Sequence, residues 1–186
     1  ALQKYDAAVD SYKQAIKFKP NYAGAYYNMG VALQNKGDFE ETIDSYKQAI
    51  KIKPDYAEAY YNMGIALKDK GELDAAIDSY KQAIKIKPDY AEAYSNMGVA
   101  LNDQGELDAA IDSCKQAIKI KPDYAKTYYN MGTALRDKGE LDAAIDSYKQ
   151  AIKIKPDYAE AYSNMGVVLN DQGELDAAID SCKQAI

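Results

Sequence analysis

The sequence predicts an all-α protein, an α-solenoid made by stacking one helix-turn-helix unit of 34 residues. Three observations carry this. The five prolines, Pro20, Pro54, Pro88, Pro122 and Pro156, stand 34 residues apart. The five methionines, Met29, Met63, Met97, Met131 and Met165, keep the same step. Ten of the eleven glycines fall on two further series of that period, Gly30 to Gly166 and Gly37 to Gly173, and only Gly24 lies outside them. A single globular core has no reason to space its rare residues so, whereas a row of identical units does.

Taken in order, residues 1–22 supply only the second helix of a truncated unit. Four full units follow at 23–56, 57–90, 91–124 and 125–158, and a last unit, 159–186, stops at the end of its second helix. The expected domain is one solenoid of about eleven helices over 1–186. The unit Ala57 to Tyr90 shows why each half is helical. Tyr60, Met63, Gly64 and Leu67 fall at i, i+3, i+4 and i+7, and Leu73, Ala76, Ile77, Tyr80, Ala83 and Ile84 keep the same period. Gly71 supplies the left-handed residue that ends the first helix. Pro88 stops the second by disfavouring helical geometry at the residue before it. Asp55 and Glu58 are expected to form a capping box, while Lys81, Lys85 and Lys87 sit near the negative end of the second helix. Gly64 and Ala76 are the small residues expected where the two helices of a hairpin cross.

These residues carry a resemblance. In the third unit the aromatic, Met-Gly, Gly, Ala, aromatic, Ala and Pro positions are Tyr94, Met97-Gly98, Gly105, Ala110, Cys114, Ala117 and Pro122, and the pattern resembles the tetratricopeptide repeat (TPR). It departs from the family at Tyr94 for Trp, at Thr42 for a small Ala, and at Cys114 and Cys182 for an aromatic. The resemblance implies a right-handed superhelix whose first helices line a concave groove that binds peptides. The related pentatricopeptide repeat is longer by one residue and basic, so period and charge both argue against it. Neither end carries the polar helix that usually covers the last apolar face of a solenoid. The expectation is a piece of a longer array, or ends buried against something else.

One block is copied. Tyr94 to Ile118 returns at Tyr162 to Ile186 with only Ala100 becoming Val168, so the true copy is a pair of units, 68 residues. Recent duplication explains this; so does a need for identical binding increments along a repetitive ligand.

Composition narrows the function classes. Net charge is −6 with no basic cluster, which leaves no electrostatic footprint for nucleic acid. No apolar run spans a bilayer and no targeting signal is visible, so no membrane association is expected and the default compartment is cytoplasmic. With no histidine and two cysteines two repeats apart there is no nucleophile-base pair and no zinc spacing. The Glu106 and Asp108 pattern recurs in four units, marking an acidic first turn rather than an acid/base dyad. The NDQGELD run lacks the alternating ligands of a calcium loop. No enzyme, metal or cofactor is expected. Cys114 and Cys182 are expected to fill core positions as small apolar residues too far apart to bridge.

The candidate site lies on the face of each first helix opposite the core. Position 5 of the repeat holds Tyr27, Tyr61, Ser95, Tyr129 and Ser163; position 6 holds Asn28, Asn62, Asn96, Asn130 and Asn164; position 9 holds Val31, Ile65, Val99, Thr133 and Val167. A primary amide both donates to a peptide carbonyl and accepts from a peptide N–H, so a row of them suits an extended backbone. Neighbouring helices about 8–10 Å apart match about three residues of extended chain, and five asparagines would then grip about a dozen. The row resembles the asparagine ladder in the TPR superhelix of O-linked N-acetylglucosamine transferases. The carboxylate clamp of chaperone-binding repeats is absent, because position 5 is Tyr or Ser and position 9 is apolar or Thr. Seven acids (Glu58, Glu92, Glu160, Asp69, Asp103, Asp137, Asp171) face three bases (Lys68, Lys126, Arg136) along the stripe, so neutral or basic peptides are expected. The expected function is a non-enzymatic protein-protein interaction scaffold. The alternatives are a structural element that stacks end to end into homo-oligomers or filaments, and the substrate-recruiting arm of a larger transferase.

Overall fold

The computed structural model describes residues 2–184; Ala185 and Ile186, expected to close the last helix, lie outside them. The described residues form eleven helices and no strand. A first compact unit ends at Asp89 and holds α1 (Leu2–Phe18), α2 (Ala23–Lys36), α3 (Phe39–Ile52), α4 (Ala57–Asp69) and α5 (Leu73–Ile86). A second begins at Tyr90 and holds α6 (Ala91–Asp103), α7 (Leu107–Ile120), α8 (Ala125–Asp137), α9 (Leu141–Ile154), α10 (Ala159–Asp171) and α11 (Leu175–Gln184). None of these helices is long and apolar enough to cross a membrane.

Within each unit the hairpins nest. In the first, α2 pairs with α3 and α4 with α5, while α1 covers α2 and α3 covers α4. In the second, α6–α7, α8–α9 and α10–α11 pair, with α7 against α8 and α9 against α10. First helices also touch one another, α2 to α4 in one unit and α6 to α8 to α10 in the other, whereas no two second helices meet among the described residues. Helices that crowd on one side and part on the other make the first-helix side of each unit the inner side of its curve.

Local chemistry explains the helix ends. Gly71 has φ +87°, and the N–H groups of Gly71 and Glu72 return to the carbonyls of Lys68 and Leu67, both at 2.9 Å. This is a Schellman ending, and it satisfies two carbonyls that the helix would otherwise leave bare. The expected Asp55–Glu58 capping box does not form. The N-cap of α4 is Tyr56, without a side-chain cap, because Lys53-Pro54-Asp55-Tyr56 is a turn closed by Tyr56 N–H on the Lys53 carbonyl at 3.2 Å. Asp55 is thereby spent inside the turn, one residue too early to cap. A side-chain cap appears on α3 instead, where Asp38 accepts from the Glu41 N–H at 3.4 Å.

The crossing within a hairpin is built from Gly64, Ala76 and Tyr80. Ala76 and Tyr80 are fully buried, and a Cβ placed on Gly64 would stand 2.6 Å from Tyr80 Cε1. Tyr46 and Tyr148 lie against Gly30 and Gly132 in the same way. Cys114 replaces the ring in the third repeat and is buried as expected, but Cys182 is exposed. The difference lies in the neighbouring helix: α8 packs on α7, whereas no described helix comes after α11. Ile179 is accordingly 53% exposed where its counterpart Ile145 is 6%.

Adjacent hairpins are also pinned at their outer ends. The Lys70 ammonium lies 2.7 Å from Glu40 of the preceding hairpin and 2.6 Å from Glu72, and Lys138 bridges Asp108 and Glu140 at 2.7 and 2.6 Å. Where the lysine becomes glutamine the link survives, since Gln172 Nε2 donates to Asp142 at 2.7 Å. These bridges are solvent-exposed and set register more than stability.

Candidate functional site

The inner rows of first helices bring together the residues singled out from sequence, but with a connection the sequence reading missed. Asn62 on α4 donates from Nδ2 to the Tyr27 hydroxyl on α2 at 2.9 Å. In the second unit Asn130 donates to Ser95 Oγ at 3.1 Å and Asn164 to the Tyr129 hydroxyl at 3.0 Å. Each bond joins position 6 of one repeat to position 5 of the repeat before. The signal was present in the sequence: position 5 always carries a hydroxyl and position 6 always an amide.

Exposure varies along the row. Asn28 is exposed, Asn62, Asn130 and Asn164 are half-buried, and Asn96 is only 9% exposed, its Oδ1 accepting from Lys126 Nζ at 3.4 Å. Val31, Ile65, Val99 and Thr133 are half-buried and Val167 is exposed. Thr133 is held on two sides, donating to the Tyr129 carbonyl at 3.2 Å and lying 3.3 Å from the Tyr148 hydroxyl.

The tyrosines at position 5 are shared between the surface and the core. Tyr27 packs on Tyr46 of its own hairpin with ring centroids 5.9 Å apart, and Tyr129 on Tyr148 at the same distance. Tyr61 and Tyr80 repeat this at 6.1 Å. Outward, Tyr27 meets Tyr56 at 4.9 Å and Tyr129 meets Tyr158 at 5.2 Å. Lys53 and Lys155 lie over the outer rings, 4.5 and 4.6 Å from the centroids. Burial raises the Tyr27 phenol above its ordinary pKa, the bond from Asn62 pulling the other way, and burial pushes Tyr158 up to about 12. Both remain O–H donors at neutral pH.

Charge on the face is partly cancelled in place. Lys68 lies 3.1 Å from Asp69, Arg136 2.7 Å from Asp137, and Lys121 3.0 Å from Glu92. Burial alone would lift the Asp137 carboxyl, but hydrogen bonds from Asn102 and Arg136 outweigh it and hold the carboxyl below its usual range.

The sequence matches family models described as TPR repeat over residues 1–37, 35–71, 66–105 and 132–173, and as tetratricopeptide repeat over 91–124 and 113–146. The chain belongs to the tetratricopeptide repeat family. Among solved structures, one of MamA is 34% identical, with 84% of this chain and 92% of that chain covered and a TM-score of 0.76. The thermophilic TPR protein TTC0263 of Thermus thermophilus is 26% identical over 88% of this chain and 90% of its own, TM-score 0.72. YrrB, described as a TPR protein with an unusual peptide-binding site, is 21% identical over 96% of this chain and 92% of its own, TM-score 0.74. Against the curated proteins the sequence finds no match. The all-helical TPR solenoid fold is thus common to this chain and to these relatives.

Proposed function

We propose that this TPR chain is a non-enzymatic scaffold that holds an extended segment of a partner protein along its rows of first helices. The observation that carries the reading is the composition of those rows. On the inner side of each unit, rings and branched aliphatics, whose apolar area gains from leaving water, stand beside amides that can pair with a peptide backbone. The second helices present Asp, Lys and Gln to solvent instead, while their serines from α3 onward, expected from the sequence on the same solvated face, are buried. The peptide-binding site named for YrrB is consistent with this use of the fold. Three of the seven stripe acids are ion-paired locally, so the preference for neutral or basic segments is modest and weakens with salt.

The test is selection of unstructured peptides from a displayed random library, followed by anisotropy titration of the enriched peptide. Replacing Asn62, Asn96 and Asn130 with Ala should abolish binding while the circular dichroism stays helical. Undiminished binding would remove the asparagine row from the site, and failure to enrich any peptide would remove the scaffold reading.

A second reading has one observation in its favour. Leu175, Ile179 and Val167 are 60%, 53% and 48% exposed on one hairpin, a face that the next first helix covers in the internal repeats. Self-association of chains through this face would make the average mass rise with concentration in light scattering; a constant monomer mass excludes it.

A further inference from the structure

We infer that the segment held by the first-helix rows is of polyproline type, an inference that rests on the peptide-holding reading above and narrows it. The first ground is which hydrogens remain to be given. Asn62 and Asn164 each spend an amide hydrogen on the oxygen of Tyr27 and Tyr129, at 2.9 and 3.0 Å. A phenol whose oxygen accepts in this way still carries its own hydrogen, directed to another acceptor. The rows therefore offer O–H donors beside flat rings. A proline-rich backbone is the complement, since its carbonyls accept and its ring nitrogens carry no hydrogen to leave unpaired.

The second ground is the rings themselves. Tyr27 with Tyr56, and Tyr129 with Tyr158, are paired aromatic surfaces, and Lys53 and Lys155 each lie over the outer ring of a pair. Pyrrolidine rings pack on such surfaces with little loss of freedom, because the proline segment is extended before it binds.

The third ground is the step. The bonds between position 6 and the preceding position 5 make neighbouring first helices direct neighbours within a unit, which sets a repeat of about 8–10 Å. A polyproline II helix returns to the same phase after three residues of about 3.1 Å, or about 9.3 Å. A β-strand returns after two residues, about 6.7 Å, and at a step of three residues it turns opposite faces to successive repeats. Only the three-fold segment presents the same face to successive first helices of one unit.

The probes are a labelled oligoproline of about a dozen residues and a proline-free peptide of equal length and charge, each titrated against the 186-residue chain by fluorescence anisotropy. The chain should bind oligoproline at least about tenfold more tightly than the control. Replacing Tyr27 and Tyr129 together with Phe keeps the rings, removes both donors, and should weaken oligoproline binding about tenfold with helicity unchanged. If the control binds as well as oligoproline, the proline inference fails and the peptide-holding reading stands. If neither probe binds while the library-enriched peptide does, the proline inference alone fails; if that peptide does not bind either, both fail. If oligoproline binds and the Phe variants bind equally, the donor argument is wrong and the inference falls with it.

Discussion

The bond between Asn62 and Tyr27 is the best place to measure how one repeat recognises the next. A double-mutant cycle would use Tyr27→Phe, Asn62→Ala and the pair. Tyr27→Phe leaves the ring against Tyr46 and Tyr56 and removes only the hydroxyl, so the loss is one neutral, half-buried hydrogen bond, about 1 kcal/mol. Asn62→Ala removes the same bond but places a better helix former inside α4, returning about 0.5 kcal/mol, for a net loss of about 0.5 kcal/mol. The double variant loses the bond once and keeps the helix gain, again about 0.5 kcal/mol, so the coupling is about 1 kcal/mol. Urea unfolding followed by circular dichroism reads the four stabilities, provided the four curves share one slope. Because repeats open locally, hydrogen exchange of the α4 amides supplies the same cycle for that region alone. Additive single effects, with coupling below about 0.3 kcal/mol, would refute the bond as the link between these repeats.

Three other outcomes are expected from the packing. Gly64→Ala gains about 1 kcal/mol in helix propensity but drives a methyl to 2.6 Å from the fully buried Tyr80 ring; a net loss of about 1 kcal/mol is expected, and a rise in urea midpoint would deny the close crossing. Burial pushes the Cys114 thiol up to about 12 while Cys182 is exposed, so a thiol reagent near pH 8 should label one cysteine in the folded chain and two in denaturant. Burial also raises the phenols of Tyr46, Tyr80 and Tyr148, and Tyr158 to about 12. The folded state then keeps protons that the unfolded chain releases above its ordinary tyrosine pKa of about 10. Stability should be level below that pH and fall steadily above it, with the phenolate absorbance of these four rings appearing late and together with unfolding.

Much of this architecture was legible because it is periodic. Pro54, Gly71 and Tyr80 each answer to a backbone or packing demand that recurs along the chain, and a demand met several times over rises above the noise of a single sequence. The misreadings were local. Asp55 looked like a cap because its spacing to Glu58 was right, and only the closed turn at Tyr56 shows the residue already used. Cys182 looked buried because its position is buried elsewhere, but burial there depends on the helix that comes next. The site was legible as a stripe and illegible as a network. Helical period puts Asn62 and Tyr61 on one face, yet the hydroxyl that Asn62 meets is Tyr27, which belongs to the hairpin before.

The copied pair of repeats can now be set against these contacts. Positions 5 and 24 shrink together, Tyr27 with Tyr46 and Tyr129 with Tyr148 against Ser95 with Cys114, because the two rings touch within one hairpin. That pairing is contained in a single 34-residue unit and does not require a longer copy. The links between hairpins are tolerant: Asn donates to Tyr129 in one place and to Ser95 in another, and Asp142 accepts from Gln172 much as Asp108 accepts from Lys138. Packing is thus indifferent to the alternation, and Ser95→Tyr with Cys114→Tyr should fold into the same hairpin. What the alternation does change is the inner face, where Tyr129 offers a ring and a phenol and Ser95, fully buried, offers neither. A ligand that engages rings would feel the difference between the double variant and the parent; a duplication without functional consequence would leave binding the same.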